Sequence, residues 1–294
     1  LNTRKNGDYS IARNGWLADY NDPICFLDMW TTVSGNNDVQ FGKGEHKDLA
    51  MYDLDLTPYG INYTVEDGTW AETYDVLIST IKSCTNNETR YQLMHLAEDM
   101  LMATGCLTPI YNYTDLYMIN PAVKGFYSIP LGYKYFQNTT VDGKGDSLPV
   151  CLASEPDTLD PALNSSVDGA CLAINSFSGL YTFDAEGNLV PGVAEGVEVS
   201  EDGMTYTFTL KEGLKWSDGQ ALTAKDFEFA WKRAASAELG ADYGYMFEVV
   251  KGYNEGELAV TAIDDKTLEV TLYNPVSYWN ELLAFPTYMP VRED

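Results

Sequence analysis

Two runs of strictly alternating apolar and polar residues, with a capped helix between them, constrain the fold of this chain most strongly. Thr205–Leu210 and Lys266–Tyr273 alternate residue by residue, which is the period of a strand with one buried face. Between them, Thr223-Ala-Lys-Asp226 forms a helix cap, and apolar residues follow at helical spacing as far as Ala234. Because strands and helices alternate without a regular βαβ period, we predict an α+β (mixed α/β) fold.

Two more helices are predicted in the first half of the chain. Thr69-Trp-Ala-Glu72 is a capping box that opens the first, and the second runs over residues 88–104, with Gly105 as its stop. Residues 31–68 are rich in Gly, Asn and Asp and are predicted to form a surface loop. Three short stretches are predicted as strands: residues 9–15, 107–113 and 148–153.

A polar stretch divides the chain. Residues 138–147 are small and polar and contain two glycines, which is the composition of a flexible linker. A length of 294 residues is typical of roughly two domains. We therefore predict a first segment of residues 1–137, a linker of 138–147 and a second segment of 148–294.

The charge balance excludes one class of partner. The chain has 18 Lys and Arg against 44 Asp and Glu, a net charge of −26. Such an acidic surface repels phosphate backbones, so nucleic acid is not expected as a partner. The chain also lacks an apolar run long enough to predict a transmembrane helix.

Cysteine and histidine usage gives no support for a metal site. The five cysteines are an odd number, so at least one thiol is free, and no Cys-x-x-Cys motif occurs. The two histidines lie far from any cysteine pattern. We expect neither a metal nor another cofactor, and we expect the cysteines to be small buried apolar groups. The cysteines are Cys25, Cys84, Cys106, Cys151 and Cys171.

Five motifs of the second segment occur in the order found in a known family. They are Ala153–Pro161, Gly179–Tyr181, Gly187–Glu195, Ser200–Phe208 and Gly213–Asp226. Together they resemble the amino-terminal region of family-5 extracytoplasmic solute-binding proteins, which are the peptide, dipeptide and nickel receptors of ABC importers.

The first segment resembles the carboxy-terminal region of the same family, through Ala12–Pro23, Pro109–Tyr113 and Val123–Gly125. The family order is thus reversed, and close to half of the family sequence, its middle, is missing. The resemblance implies a periplasmic-binding-protein-like type II architecture that is partial and circularly permuted. An engineered permutation, a cut from a tandem fusion and one half of a split receptor all remain open.

The resemblance implies a binder of oligopeptides that serves an ABC transporter, and not an enzyme. The implied partners are small peptides, the permease subunits and a second chain or domain that supplies the missing half. The implied location is extracytoplasmic, in the periplasm or at the outer face of the membrane, with a lipid anchor in the parent protein.

Asp19 is the main candidate for a binding residue. In oligopeptide-binding relatives, the Asp of a Gly-Trp-x-Ala-Asp-Tyr segment pairs with the peptide α-ammonium, and that position here is Asp19. An ammonium enclosed in a dry cleft needs such a carboxylate. The alternative is that Asp19 caps a loop or a helix.

Other candidates follow from the same resemblance. Arg13 and Arg4 match positions that meet peptide carboxylates, and Trp16 and Tyr113 match aromatic residues that line the pocket; each could instead be an ordinary surface or core residue. The main chain of Ser165, Ser166 and Val167 matches a segment that pairs with the ligand as a strand would. Weaker candidates are Tyr243 and Tyr245.

Three alternatives to an oligopeptide receptor remain. The chain could bind another ligand of the family, such as a dipeptide, a nickel complex or a sugar. It could be a hydrolase that uses paired carboxylates, although 44 acidic residues make chance pairs inevitable. It could also be a scaffold that binds nothing. Ligand-dependent thermal stabilisation separates the binders from the other two.

Overall fold

A computed structural model describes residues 6–37, 39–43, 50–143 and 147–294 of the chain. Contacts between residues divide the chain into two units, residues 1–112 and residues 113–294. This division differs from the predicted linker at 138–147, within which Thr140–Val141 form a strand. The predicted segment boundaries refer to the family sequence rather than to these contacts, and they stay a prediction.

The first unit has two helices; the first begins where the cap at Thr69 predicts, and the bounds of the second lie within one residue of the prediction. Helix α1 spans Trp70–Ser83 and helix α2 spans Asn87–Ala103. At the start of α1, the Thr69 hydroxyl accepts a hydrogen bond from the backbone N–H of Glu72 (3.3 Å) and donates one to its carboxylate (2.8 Å). Gly105 has a φ of +66°, the left-handed conformation that commonly follows a helix end.

The two helices pack through their apolar stripes. Leu77 and Ile81 of α1, and Leu93 and Ala97 of α2, are fully buried. Two antiparallel strands, β1 (Met51–Asp55) and β2 (Thr64–Thr69), lead directly into α1. The core of the first unit therefore lies between α1 and α2, and it is extended by aromatic residues at the start of α1, where Trp70 stacks on Tyr74 with ring centroids 4.6 Å apart.

The predicted surface loop at 31–68 is wrong in two respects. It contains β1 and most of β2, and it contains polar residues that are buried rather than solvated. The Asn37 side chain, 1% exposed, donates to the carbonyls of Thr31 (3.1 Å) and Phe41 (2.9 Å). A polar composition could not reveal this folded loop, because its hydrogen bonds are made internally instead of with water.

The three short predicted strands at 9–15, 107–113 and 148–153 are also wrong. Within the described ranges none of these stretches forms a strand, and Ile11 and Ile110 are 94% and 82% exposed. A strand forms only where another strand supplies the opposing backbone groups. Favourable residue types in a short stretch do not provide that partner.

The second unit contains a four-stranded antiparallel sheet. Its strand order is β11-β12-β10-β9, and the predicted alternating runs form its two central strands. Phe208 of β10 lies opposite Leu268 of β12, and both are fully buried. The bounds are β9 Ala194–Val199, β10 Thr205–Leu210, β11 Val260–Ala262 and β12 Thr267–Thr271.

Helix α4 (Ala224–Ala234) packs against β11 and β12, as its apolar spacing predicts. Its Trp231 is fully buried and donates through Nε1 to the carbonyl of Tyr288 at 2.8 Å. Two further helices are α3 (Val167–Ser176) and the short α5 (Trp279–Leu282). The second unit also has three short antiparallel pairs. Strand β3 (Val123–Lys124) pairs with β6 (Thr140–Val141), β4 (Tyr127–Ser128) with β5 (Lys134–Tyr135), and β7 (Tyr181–Phe183) with β8 (Leu189–Pro191).

The described residues therefore form a mixed fold of helices and strands, in agreement with the predicted class. The type II architecture and the permutation stay predictions. Among the described residues, every helix falls short of the length and apolar character needed to cross a bilayer.

Candidate functional site

Asp19 lies where the chain turns from an exposed stretch into the core of the first unit. Residues 10–15 are exposed, Asp19 is half-buried and Tyr20 is 2% exposed. The Oδ2 atom of Asp19 is shielded from solvent. Nearby in sequence, the half-buried Trp16 has a buried Nε1 atom that finds no acceptor among the described residues. A carboxylate and an unused indole donor are thus both shielded in one short segment.

The Cys25 thiol lies against the main chain of this segment. Its Sγ atom is 3.6 Å from the carbonyl oxygen of Tyr20. Burial, and then the carboxylates of Asp28 and Asp19, raise the pKa of the Cys25 thiol. The Cys25 thiol therefore stays neutral over the physiological pH range and contacts the backbone next to Asp19.

A buried ion pair holds the turn that follows Asp19. Arg90 of α2 has a side chain that is 3% exposed, and its two terminal nitrogens donate to the two carboxylate oxygens of Asp22 at 2.8 Å each. Arg90 Nε also donates to the carbonyl of Ile81 at 3.3 Å. Such two-point contacts fix direction as well as distance.

A second buried pair lies a few residues further on. The Asp28 carboxylate accepts from the hydroxyl of Tyr20 and is paired with the ammonium of Lys82 on α1, both at 3.2 Å. The Asp28 side chain is 3% exposed. Residues 20–28 are therefore attached to both helices of the first unit.

Of the two predicted arginines, one is described. Arg13 is exposed and donates to the hydroxyl of Tyr111 at 3.0 Å, within the same unit. That contact joins residues 98 positions apart in the sequence. Arg4 lies outside the described residues. The role of both in meeting a peptide carboxylate stays a prediction.

The segment Ser165–Val167 has a local structural role. The Ser166 hydroxyl caps α3 by accepting from the backbone N–H of Gly169 at 3.2 Å. The Ser166 carbonyl accepts from the N–H of Ala170 (2.9 Å), and its N–H donates to the side chain of Asn164 (3.3 Å). Both main-chain groups of Ser166 are thus engaged within the second unit, and the predicted strand-like contact to a ligand stays a prediction.

The predicted tyrosines differ in exposure. Tyr243 and Tyr245 are 6% and 5% exposed, with ring centroids 6.2 Å apart. Tyr243 also contacts Phe285 edge-on at 4.9 Å. Tyr113 is 51% exposed. These contacts suit core residues for the first two, and their predicted ligand contacts stay predictions.

Two pockets of the described residues lie away from every predicted site residue. One, of about 270 Å³ in the first unit, is lined by apolar residues that include Phe41, Trp70 and Met100. The other, of about 540 Å³ in the second unit, is lined in part by the ion pairs of Arg233 and Arg292. Among the described residues, no group of His, Cys, Asp and Glu side chains is arranged to hold a metal ion.

The sequence predicts Asp19 as a candidate site residue, but it does not predict the ion pairs that hold the segment after it. The structure brings Asp22 and Asp28 together with Arg90 and Lys82, which lie more than 50 residues further along the chain. No local motif links these positions. One feature of the sequence could have indicated these ion pairs: Lys82 and Arg90 are basic residues on predicted helices of a strongly acidic chain.

Comparison with known proteins gives matches to part of the chain. Residues 188–294 match the family described as bacterial extracellular solute-binding proteins, family 5 Middle. That family-5 match includes Tyr243 and Tyr245, and it includes the four-stranded sheet with α4.

Curated relatives extend the similarity beyond the family-5 match. The oligopeptide-binding protein OppA of Bacillus subtilis is 43% identical over 162 residues, covering 52% of this chain and 30% of OppA. The dipeptide-binding protein of Lactococcus lactis subsp. cremoris is 37% identical over 155 residues, covering 50% of this chain and 28% of the relative. The matches thus span less than a third of the length of these relatives.

A solved structure gives a similar partial match. The substrate-binding domain of an oligopeptide ABC transporter from Bacillus anthracis str. Ames is 38% identical, with 46% of this chain and 28% of that chain covered and a TM-score of 0.45. The reversed order and the missing part of the family sequence stay predictions.

Proposed function

We propose that this chain forms part of an extracytoplasmic peptide receptor of an ABC importer, and that Asp19 binds the α-ammonium group of the peptide. The supporting observation is the shielded carboxylate of Asp19 in a Gly-Trp-Leu-Ala-Asp-Tyr segment. The proposal agrees with relatives that are named for binding oligopeptides and dipeptides. In this proposal the protein is a binder that leaves its ligand chemically unchanged.

The chemistry of an enclosed ammonium explains why a carboxylate is required. Removing a single charge from water costs far more than a binding site can recover, so an enclosed ammonium must be paired. Asp19 has one shielded oxygen, and Trp16, three residues earlier in the sequence, has a buried Nε1 that can donate to a peptide carbonyl. The pair would accept any peptide with a free amino terminus.

The other predicted residues complete the proposal. Arg13 and Arg4 would meet peptide carboxylates, and Tyr113 and Tyr245 would line the pocket. The main chain of Ser165, Ser166 and Val167 would contact the main chain of the peptide. Such contacts do not discriminate between peptide side chains. The partial, permuted type II architecture, the permease partners and a second chain or domain that supplies the rest of the receptor belong to the same proposal.

Replacing Asp19 tests the proposed function. We expect Asp19→Asn to weaken binding of peptides with a free amino terminus by about 3–5 kcal/mol, because an ammonium would be buried without its counter-charge. Isothermal titration calorimetry with one defined peptide measures this loss, and circular dichroism checks that the fold is retained.

The matched ligand is the same peptide with an acetylated amino terminus. Since it has no ammonium to pair, its affinity should be about the same for Asp19→Asn and for the wild type. Equal affinity of both proteins for the free peptide would remove Asp19 from the site. Absence of any peptide binding by the wild-type chain would overturn the proposal.

A further inference from the structure

Arg90 is a buried cation that is paired with the carboxylate of Asp22, three residues after Asp19. The two side chains are 68 residues apart in sequence and meet through two hydrogen bonds of 2.8 Å. Both are largely shielded, with side-chain exposures of 3% for Arg90 and 11% for Asp22. The ion pair therefore attaches the turn at Asp22 to α2 at Arg90.

Asp22 is the centre of that turn. Its backbone N–H donates to the carbonyl of Tyr20 at 2.8 Å, and its Oδ1 atom accepts from the N–H of Ile24 at 3.0 Å. Its own carbonyl accepts from the N–H of Cys25 at 3.3 Å. The main chain on both sides of Asp22 is thus fixed relative to its carboxylate, and the carboxylate is fixed by Arg90.

The same bonds reach Asp19. Tyr20, whose carbonyl is bonded by Asp22, is the next residue after Asp19, and that carbonyl is also 3.6 Å from Cys25 Sγ. Movement of Asp22 would move this peptide unit and change the direction of the Asp19 side chain. The contacts therefore run from α2 through Asp22 to the carbonyl of Tyr20, the residue next to Asp19.

Stability alone does not account for a pair of this kind. An apolar pair of similar volume commonly stabilises a core as well as a buried ion pair does, because charges lose solvation when they are buried. The two-point contact of a planar guanidinium with a carboxylate adds directional precision that neither an apolar pair nor a lysine provides.

We propose that Arg90 is a positioning residue, which acts through Asp22 to aim the Asp19 carboxylate at the ammonium group of a bound peptide. This inference rests on the proposed function of Asp19. Arg90 makes no contact with the ligand in this scheme. Its effect is confined to the discrimination between a free and a blocked amino terminus.

The test measures that discrimination directly. For each protein, the affinities for one peptide and for its amino-terminally acetylated form are measured by calorimetry, and their ratio is taken. The double substitution Asp22→Asn with Arg90→Met removes both charges of this pair, so neither partner is left as a buried charge facing a neutral one. We expect it to lower the ratio at least tenfold, with the affinity for the acetylated peptide changed less than twofold.

Two further variants separate positioning from stability. Arg90→Lys keeps the charge but loses the two-point contact, and its ratio should lie between those of the wild type and the double variant. Leu93→Ala, at a fully buried position of the same helix, destabilises the unit while both Arg90 and Asp22 are retained. Its ratio should equal that of the wild type.

Each result decides between the alternatives. A wild-type ratio in the double variant, or an equal loss of affinity for both peptides, would overturn the positioning role while leaving Asp19 as the ammonium site. An equally reduced ratio in Leu93→Ala would show that general destabilisation is the cause, and would also overturn it. A wild-type ratio near one would overturn the proposed function itself.

Discussion

At the scale of single residues, the interior of this acidic protein holds titratable groups that stay neutral. The phenols of Tyr74 and Tyr288 are fully buried and donate to backbone carbonyls at 2.9 and 2.8 Å. Burial raises the pKa of each well above its usual value of 10.0, and the nearby Asp28 raises that of Tyr74 further. Burial also raises the pKa of the Cys25 thiol.

These pKa shifts predict a loss of stability at alkaline pH. Above about pH 9–10 the groups ionise in the unfolded chain but remain protonated in the folded one. The unfolded state then binds fewer protons, so the free energy of unfolding falls as the pH rises, by about 1.4 kcal/mol per pH unit for each group. Below about pH 8 these groups contribute no pH dependence.

Urea unfolding at several alkaline pH values measures this effect, with tyrosinate absorbance as the second signal. Tyr74→Phe provides the control, because it removes one ionisable group and keeps the ring; it should reduce the alkaline slope. A free energy of unfolding that is independent of pH up to about pH 11 would contradict the prediction.

At the scale of elements, the helices are specified by their ends. The Thr69 capping box joins the end of β2 to the start of α1, whose Trp70 and Tyr74 begin the core of the first unit. A side-chain acceptor at this position satisfies a backbone N–H that has no partner within the helix. The cap therefore affects both the helix and the aromatic stack that it begins.

Removing this cap should have a moderate effect. We expect Thr69→Ala to lower the free energy of unfolding by about 0.5–2 kcal/mol, and Thr69→Ser to be close to the wild type, because serine supplies the same acceptor. Urea denaturation measures both. Thr80→Ala, near the end of the same helix, controls for general effects of removing a threonine; a larger loss there than at Thr69 would contradict the prediction.

At the scale of the whole molecule, excess negative charge dominates. With 44 acidic and 18 basic residues, a net charge of −26 remains even if every cation is paired. Several cations are already engaged in ion pairs within the described units, such as those of Lys82, Arg90 and Arg233. Self-repulsion of this kind opposes compaction, because the unfolded chain places its charges further apart.

Salt should therefore stabilise the protein. Raising NaCl from about 0.01 M to about 1 M shortens the Debye length from about 30 Å to about 3 Å and screens the repulsion. We expect the unfolding temperature to rise over this range, as measured by calorimetry. Glycerol at matched osmolality serves as an uncharged control, and a fall of the unfolding temperature with salt would contradict the prediction.

The sequence by itself determined the features that depend on neighbouring residues. The capping boxes at Thr69 and Thr223 predicted where α1 and α4 begin, and strict alternation predicted β10 and β12. In each case the signal lies within a few residues, at the spacing of one helical turn or one strand pleat. The candidate Asp19 came from the resemblance of a short motif, and its binding role stays a prediction.

Only the tertiary structure decided which groups meet across long separations. It showed that residues 9–15 form no strand with the described part of the chain, that Asn37 is buried, and that Arg90 and Lys82 hold the segment after Asp19. These outcomes depend on backbone and side-chain partners tens of residues away, and no local pattern encodes the identity of such partners. The physical reason is that hydrogen bonds and ion pairs form between positions in space, which neither local spacing nor composition specifies.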